Sequence, residues 1–391
     1  MNRGVLPKIG RGVLQYAPTI GILLLFFLAA SDAAERQVAA LSTRPFEPAV
    51  PGYRFSFPRD HGAHSNFKTE WWYFTGNVTA EGKDYGYELT FFRRGVDSPQ
   101  TEKNPSRWAI RDLYFAHFAL TDGEEKRFYH TDRISREAIG KAGARSDRLE
   151  VWIDRWRATQ ESEGTIHLQA EAEGETEGGG WKIELLLHPD KPLVIHGTDG
   201  ISRKGGEPGQ ASHYLSFTRL HTKGTISIDG KERPVSGLSW MDHEFSSSML
   251  NKNQVGWDWF SIQTEDGREV MLYQIRTADG KNDPFSSGTV IEPDGTARHL
   301  PADAFMLTPL RYWKSKKSGG NYPVAWRIEI PSERMTFESE PLLEDQELIT
   351  SKSTRVAYWE GASRFRGNKD GKSIEGRGYI EMTGYAEPFN K

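Results

Sequence analysis

The stretch Glu70–Val78, EWWYFTGNV, runs through a polar turn at Ala80–Asp84, AEGKD, into Tyr85–Arg93, YGYELTFFR. Two aromatic-rich runs joined by a short turn containing glycine read as a β-hairpin. The plan returns later in the chain. WWYF begins at Trp71 and WDWF at Trp257; each is followed by a turn with a glycine (Gly82, Gly267). Each turn leads into a strand that closes in an apolar residue and an arginine, Phe92-Arg93 and Ile275-Arg276. A repeated hairpin predicts two structurally similar β domains.

Outward from these hairpins the same texture continues. YRFSF (53–57), LYFAHFALTD (113–122), LEVWIDRWRA (149–158), TIHLQAEAE (165–173), WKIELLLHP (181–189) and ASHYLSFTRLHTKGTISIDG (211–230) are strand-like runs with turn signals between them. Such spacing predicts an all-β chain of antiparallel sandwiches or barrels, with little helix. A chain of 391 residues suits two domains. The predicted units are 52–236 and 237–391, with an Ala/Pro-rich linker at 35–51 before them.

Composition removes several classes. The formal net charge of -4 gives no electrostatic case for nucleic acid. The absence of cysteine removes disulfides, thiolate nucleophiles and lipidated-cysteine anchors. Arg3, Lys8 and Arg11 precede the apolar TIGILLLFFLAA (19–30) and the small residues of SDAA (31–34). This order describes a signal peptide over residues 1–34 and an exported protein, periplasmic or secreted. The apolar run is short for a bilayer span; an uncleaved anchor is the alternative.

A second stretch, Gly237–Phe245, GLSWMDHEF, sets three ionisable residues among aromatic ones at the expected domain junction. Junctions are common ligand sites. Strand parity puts Trp240, Asp242 and Glu244 on one face and Met241, His243 and Phe245 on the other. Asp242 and Glu244 would lie about 6–7 Å apart along a strand. Like charges that close keep one carboxyl protonated, as a general acid requires. The competing reading pairs one of them with Arg93, Arg94 or Arg276. If the other face lines a cavity, His243 becomes the acid–base candidate; otherwise it is a hydrogen-bonded structural residue.

Parity also sets Trp257 and Trp259 against Asp258, and Trp71 and Tyr73 against Trp72. Such aromatic walls, with Trp240 and Tyr273, suit an extended apolar ligand and would stabilise a cation by about 0.5–2 kcal/mol per ring; ordinary core packing is the competing reading. His117 lies mid-strand, facing either a cavity or the core. His61 and His64 beside Asp60 are only a fragment of a metal site, so no metal and no other cofactor is expected. There is no G-x-S-x-G elbow, H-E-x-x-H, phosphate loop or dinucleotide fingerprint.

The motifs FPRDHGAHSNFKTEWWYFTGNV (57–78), YFAHFALTD (114–122), GLSWMDHEF (237–245) and GWDWFSIQ (256–263) together resemble the AttH-like secreted proteins related to carotenoid 1,2-hydratase (hydroxyneurosporene synthase). The resemblance runs from about residue 50 to the C-terminus. It implies two tandem lipocalin-like antiparallel β-barrel domains with a cleft at their interface. It also implies a cofactor-independent hydratase or cyclase acting on a carbon–carbon double bond, and for some members a place beside an ABC-transporter permease. The hydratase branch carries its acid near a tyrosine in the strand after the Trp-Asp-Trp-like region. Here that strand is MLYQIR (271–276), with Gln274 and no carboxylate.

Two functions of different class follow. In one, Asp242, or Asp258 second, protonates an alkene of an isoprenoid or lipid-like ligand, while Trp240, Trp257 and Tyr273 shield the cation and water adds with help from a carboxylate or His243. In the other, a non-catalytic lipocalin-like carrier passes a lipid to or from an envelope exporter. A hydrolase is the third option. Oligomeric state is not read from the sequence.

Overall fold

The structure, a computed structural model, describes residues 1, 46–96, 106, 110–137, 139–173, 179–248 and 250–389. Apart from Met1, the expected signal peptide (1–34) and most of the expected linker lie outside the described residues. Thirteen strands form one antiparallel sheet: β1 Thr69–Ala80, β2 Lys83–Gly95, β3 Asp112–Asp122, β4 Arg127–Arg136, β5 Ala142–Ala144, β6 Glu150–Ile153, β7 Trp156–Gln160, β8 Ile166–Glu173, β9 Gly180–Pro189, β10 Val194–Ile195, β11 Ser202–Arg203, β12 Ala211–Ile228 and β13 Lys231–Ser246. Ten form the other: β14 Gln254–Thr264, β15 Glu269–Thr277, β16 Ser287–Ile291, β17 Ala297–Pro301, β18 Met306–Lys314, β19 Asn321–Ile330, β20 Met335–Pro341, β21 Glu347–Ile349, β22 Ala357–Lys369 and β23 Lys372–Met382.

Both sheets follow one plan. The first strand of each is flanked by its hairpin partner and by the last strand: β2-β1-β13 in one, β15-β14-β23 in the other. In each, the two edge strands, β4 and β5 or β17 and β18, are neighbours in the chain, so the sheet curls into a barrel around its own core. The echo of WWYF and WDWF falls on the equivalent strands β1 and β14.

Alternation decides what lies inside. Trp72, Phe74 and Val78 of β1 enter the first core with Leu89, Phe91, Phe118, Trp156, Leu168 and Met241. Phe260 and Ile262 of β14 enter the second with Leu272, Trp326, Ile328 and Trp359. The outward residues of these same strands, Tyr73 and Trp259 among them, form a third cluster between the barrels with Tyr214, Trp240, Met271, Tyr273 and Tyr379. Strands at this junction are therefore buried on both faces, as in β1, whereas β20 on the outside alternates residue by residue.

One boundary moves. The β13 strand pairs along its length with β1, from Thr69 opposite Ser246 to Thr79 opposite Ser236, and with β12 on its other side. The segment expected to open the second domain at residue 237 instead closes the first barrel, and the two sheets divide between Ser246 and Gln254. The expected boundary falls inside β13, just before the strand becomes buried on both faces from Ser239 onward.

Polar ties cross the junction. Glu269 of β15 accepts from Arg219 Nε of β12 at 2.5 Å and from Lys191 Nζ at 2.8 Å. The backbone N–H groups of Lys352 and Ser353 donate to Asp132 at 2.9 and 2.6 Å. Gly86 of β2 lies directly against Ala362 of β22: a Cβ at 86 would stand 2.3 Å from that of Ala362.

Candidate functional site

The outward face of β13 carries Trp240, Asp242 and Glu244 into the junction. Asp242 is buried. Its carboxylate accepts from Tyr214 Oη at 2.5 Å, from Trp240 Nε1 at 2.6 Å and from the hydroxyl of Ser216. Trp259 Nε1 from the second barrel donates in turn to Tyr214 Oη at 2.9 Å. Loss of water pushes the acid up to about 7, against the lowering effect of these donors; Glu244 adds to the rise. The partners are neutral donors rather than one of the arginines considered from sequence.

Around Asp242 stand four more carboxyls. Glu244 accepts from Ser212, and its Oε1 lies 3.4 Å from Lys204 Nζ. That ammonium sits 3.8 Å from the centre of the Tyr273 ring, and Tyr273 Oη donates to the carbonyl of Arg203 at 3.2 Å. Glu360 of β22 accepts from Tyr73 Oη at 2.7 Å, and Glu88 of β2 accepts from Thr90. Burial drives both glutamates well above the usual carboxylate range. Glu381 of β23 accepts from Trp257 Nε1 at 3.0 Å and is pushed by burial up to about 7. Among the described residues, Glu88 Oε2 and Glu360 Oε1 have no hydrogen-bond partner. A protonated carboxyl tolerates this where a carboxylate would not.

The aromatic set assembles at the same place. Tyr73 meets Trp259 edge-on at 5.3 Å, and Trp240 meets Trp259 edge-on at 6.2 Å. Trp71 and Trp257 are half-buried on the margin of the cluster, with Leu250 and Leu342. Leu342 also walls a recess of about 460 Å³ in which Asp84, Lys83 and Glu124 of the first barrel face Glu340 and Arg364 of the second. His117 of β3 lies farther along the junction, its Nδ1 2.5 Å from Tyr358 Oη and its Nε2 3.0 Å from Ser353 Oγ.

Three candidates lie elsewhere. Trp72 points into the first barrel, donates to the carbonyl of His61 at 3.1 Å and stacks on His243. His243 follows it there, with Nε2 2.9 Å from Glu70 Oε1, so the two faces of β13 serve different surroundings. Asp258 faces the interior of the second barrel, 3.1 Å from Arg276 Nε, and accepts from Gln274 at 3.3 Å. This is the structural ion pair weighed against catalysis, found on Asp258 rather than Asp242.

His64, Glu70 and His243 each bring a ligand atom within 4.8 Å of the others, a spacing a metal ion could span. Glu70 is already saturated. His64 Nδ1 lies 2.7 Å from its Oε1, the backbone N–H of His64 donates at 2.9 Å and Arg93 Nε at 3.0 Å, with His243 on the same carboxylate. Asp60 holds the far nitrogen of His64 at 3.1 Å, and Arg93 reaches Asp112 at 2.8 Å. A guanidinium on the same carboxylate and alternating signs throughout describe a balanced ion network.

Tyr214, Ser216, Lys204, Glu88, Glu360, Glu381 and His196 were not singled out from sequence. They come from strands and a loop far from residue 242. Parity had a weak handle on some: Tyr214 and Ser216 share one face of the β12 run, and Gly86 and Glu88 share one face of β2.

Two curled barrels joined through a buried surface of carboxyls, phenols and indoles define a tandem-barrel protein with a polar, water-poor core between its halves. The chain belongs to the AttH-like family, whose model matches residues 48–385. It is similar to a crystal structure described as an AttH from Nitrosomonas europaea, 35% identical with TM-score 0.77, covering 87% of this chain and 99% of that one. Kievitone hydratase from Nectria haematococca shares the fold, at 15% identity and TM-score 0.61, over 88% of this chain and 95% of that one. The dehydratase asqC of Emericella nidulans is 22% identical over 209 residues, 51% of this chain and 57% of that protein. The match therefore spans little more than half of that relative.

Proposed function

We propose that the protein is a hydratase-type enzyme. On this reading it binds an extended apolar ligand, isoprenoid or lipid-like, between its barrels and adds water to a carbon–carbon double bond, or cyclises it. The carrying observation is Asp242: a buried carboxyl, held by three neutral donors, beside Trp240, Trp259 and Tyr73. A carboxyl that titrates near 7 can give and retake a proton at neutral pH. Its proton passes to one alkene carbon, forming the C–H bond as the π bond breaks. The ring faces stabilise the cation on the other carbon. Water adds there, and its spare proton returns to the carboxylate, so the sum is the addition of H₂O. Run backwards, the same steps dehydrate an alcohol.

The half-buried margin of Trp71, Leu250, Trp257 and Leu342 is the proposed entry. The hydratase and dehydratase among its relatives support the reaction class. Export, on the strength of the N-terminal stretch, and service to an ABC-transporter permease belong to the same proposal. A lipocalin-like carrier holding its ligand inside a barrel finds less support, because side chains such as Trp72, Phe118 and Trp156 fill the first interior and Trp326 and Trp359 the second.

The test is incubation with a panel of acyclic isoprenoid alkenes in ¹⁸O-water, read by mass spectrometry. Wild type is expected to give the labelled alcohol, and Asp242→Asn to lose at least a hundredfold of that rate, the order of a missing general acid. An Asp242→Asn protein with full turnover would remove the assignment.

A further inference from the structure

His196, between β10 and β11, is buried and connects to Asp242 through Ser216. Its Nε2 is 2.8 Å from Ser216 Oγ, and its Nδ1 is 2.8 Å from Thr289 Oγ1 on β16 of the second barrel. The Ser216 hydroxyl in turn donates to Asp242 Oδ1. Its backbone N–H is fixed on the carbonyl of Tyr214 at 2.9 Å. An unbroken line of exchangeable protons therefore crosses from the second barrel to the carboxyl: Thr289, His196, Ser216, Asp242.

We propose that this line is a proton relay that reloads Asp242, with His196 as a neutral positioning residue that switches tautomer at each transfer. The inference rests on the reading of Asp242 as the proton donor. When Asp242 is ionised, every hydroxyl and ring N–H points toward it. Thr289 donates to Nδ1, Nε2–H donates to Ser216, and Ser216 donates to the carboxylate. To load the acid, Thr289 passes its hydroxyl proton to Nδ1 and takes one from solvent in its place, the Nε2 proton moves to Ser216 Oγ, and the Ser216 proton moves to Asp242. The line then points the other way, with Nδ1–H donating to Thr289 Oγ1. One proton enters, one is stored on Asp242, and no imidazolium forms.

The surroundings fit a neutral ring. Burial lowers the histidine's pKa to about 3, and the Lys204 and His299 charges act in the same direction. The other titratable groups facing the relay are Tyr214 on β12, Glu244 on Asp242's own strand and Glu381 on β23. A hydroxyl both donates and accepts, so Ser216 and Thr289 can serve in either direction.

The test is ¹⁵N NMR of histidine-labelled, substrate-free protein between pH 5 and 9, with His196 assigned from the spectrum of His196→Gln. We expect Nδ1 and Nε2 to exchange their pyrrole-like and pyridine-like shifts with one midpoint, and the exchange to vanish in both Ser216→Ala and Asp242→Asn. Shifts that stay constant in wild type, or that move to imidazolium values, would overturn the relay. So would a tautomer exchange that persists in Ser216→Ala. Because no substrate is used, a failed relay leaves the hydratase reading to its own assay, and failed hydration leaves the tautomer result standing.

Discussion

Asp242 is defined by two opposing effects of its surroundings. Burial favours the neutral acid, and the donors Tyr214, Ser216 and Trp240 favour the carboxylate. Removing one donor should therefore raise its pKa further. A hydrogen bond to a charged group contributes about 1.5–3 kcal/mol, which corresponds to roughly one to two pKa units. Tyr214→Phe is predicted to move the Asp242 titration up by that amount, followed by ¹³C NMR of labelled aspartate. Parity alone set Asp242 with Trp240 and Glu244 and apart from His243, but left open which of the two faces meets the junction. The partners of Asp242 were not legible, because Tyr214, Ser216 and His196 reach it through pairing with β12 and a loop, and pairing between distant strands leaves no local mark. Asp258 shows the converse. Its parity was right, but parity cannot say whether an inward carboxyl meets an arginine, as it does in Arg276.

At the scale of the element, the hairpins of β1–β2 and β14–β15 were legible because aromatic alternation and glycine turns are local signals. The role of β13 was not, since a strand that closes a barrel looks like one that opens the next until its partners are known. The junction depends on close approach and on buried ion pairs. Gly86 leaves no room for a side chain against Ala362. Gly86→Val is predicted to push β2 from β22 and lower the thermal midpoint, by calorimetry, while Gly82→Ala, with no atom within 4 Å but at φ +78°, strains only its own hairpin turn and does not separate the barrels. Glu269→Ala leaves Arg219 and Lys191 without their shared anion. Loss of one partner from a buried ion pair costs about 3–5 kcal/mol, and chemical denaturation should show a decrease of that order.

For the whole molecule, the junction's chemistry sets a pH dependence. Asp242 and Glu381 ionise near 3.8 and 4.5 in ordinary surroundings and near 7 when folded. Their contribution is fully present below those ordinary values and is lost as pH rises toward 7, because unfolding then releases protons. Glu70 acts oppositely. Its ion network holds it well below the usual range, so its contribution is present above about 4.5 and lost in acid. The contribution of these two acids should therefore fall by a few kcal/mol from mildly acidic solution toward neutrality, at roughly 1.4 kcal/mol per pKa unit, while the buried His61, His117 and His196, held by burial near 4, 4 and 3, act oppositely and add stability as pH rises toward 6.5. The double variant Asp242→Asn, Glu381→Gln is expected to flatten that fall in thermal unfolding measured across the range. The tandem-barrel architecture was legible from the repeated hairpin and the family motifs. The acid-rich junction was not, because its five carboxyls are scattered over β2, β13, β22 and β23.

The proposed chemistry requires Asp242 to be a protonated acid poised near neutrality in the junction between the barrels. Infrared difference spectra of wild type minus Asp242→Asn, taken across pH, report it directly through the carbonyl stretch of a protonated carboxyl. A band present at pH 5 that disappears with a midpoint near 7 is expected. A difference spectrum with no such band at pH 5, the signature of a carboxylate ionised throughout, would contradict it.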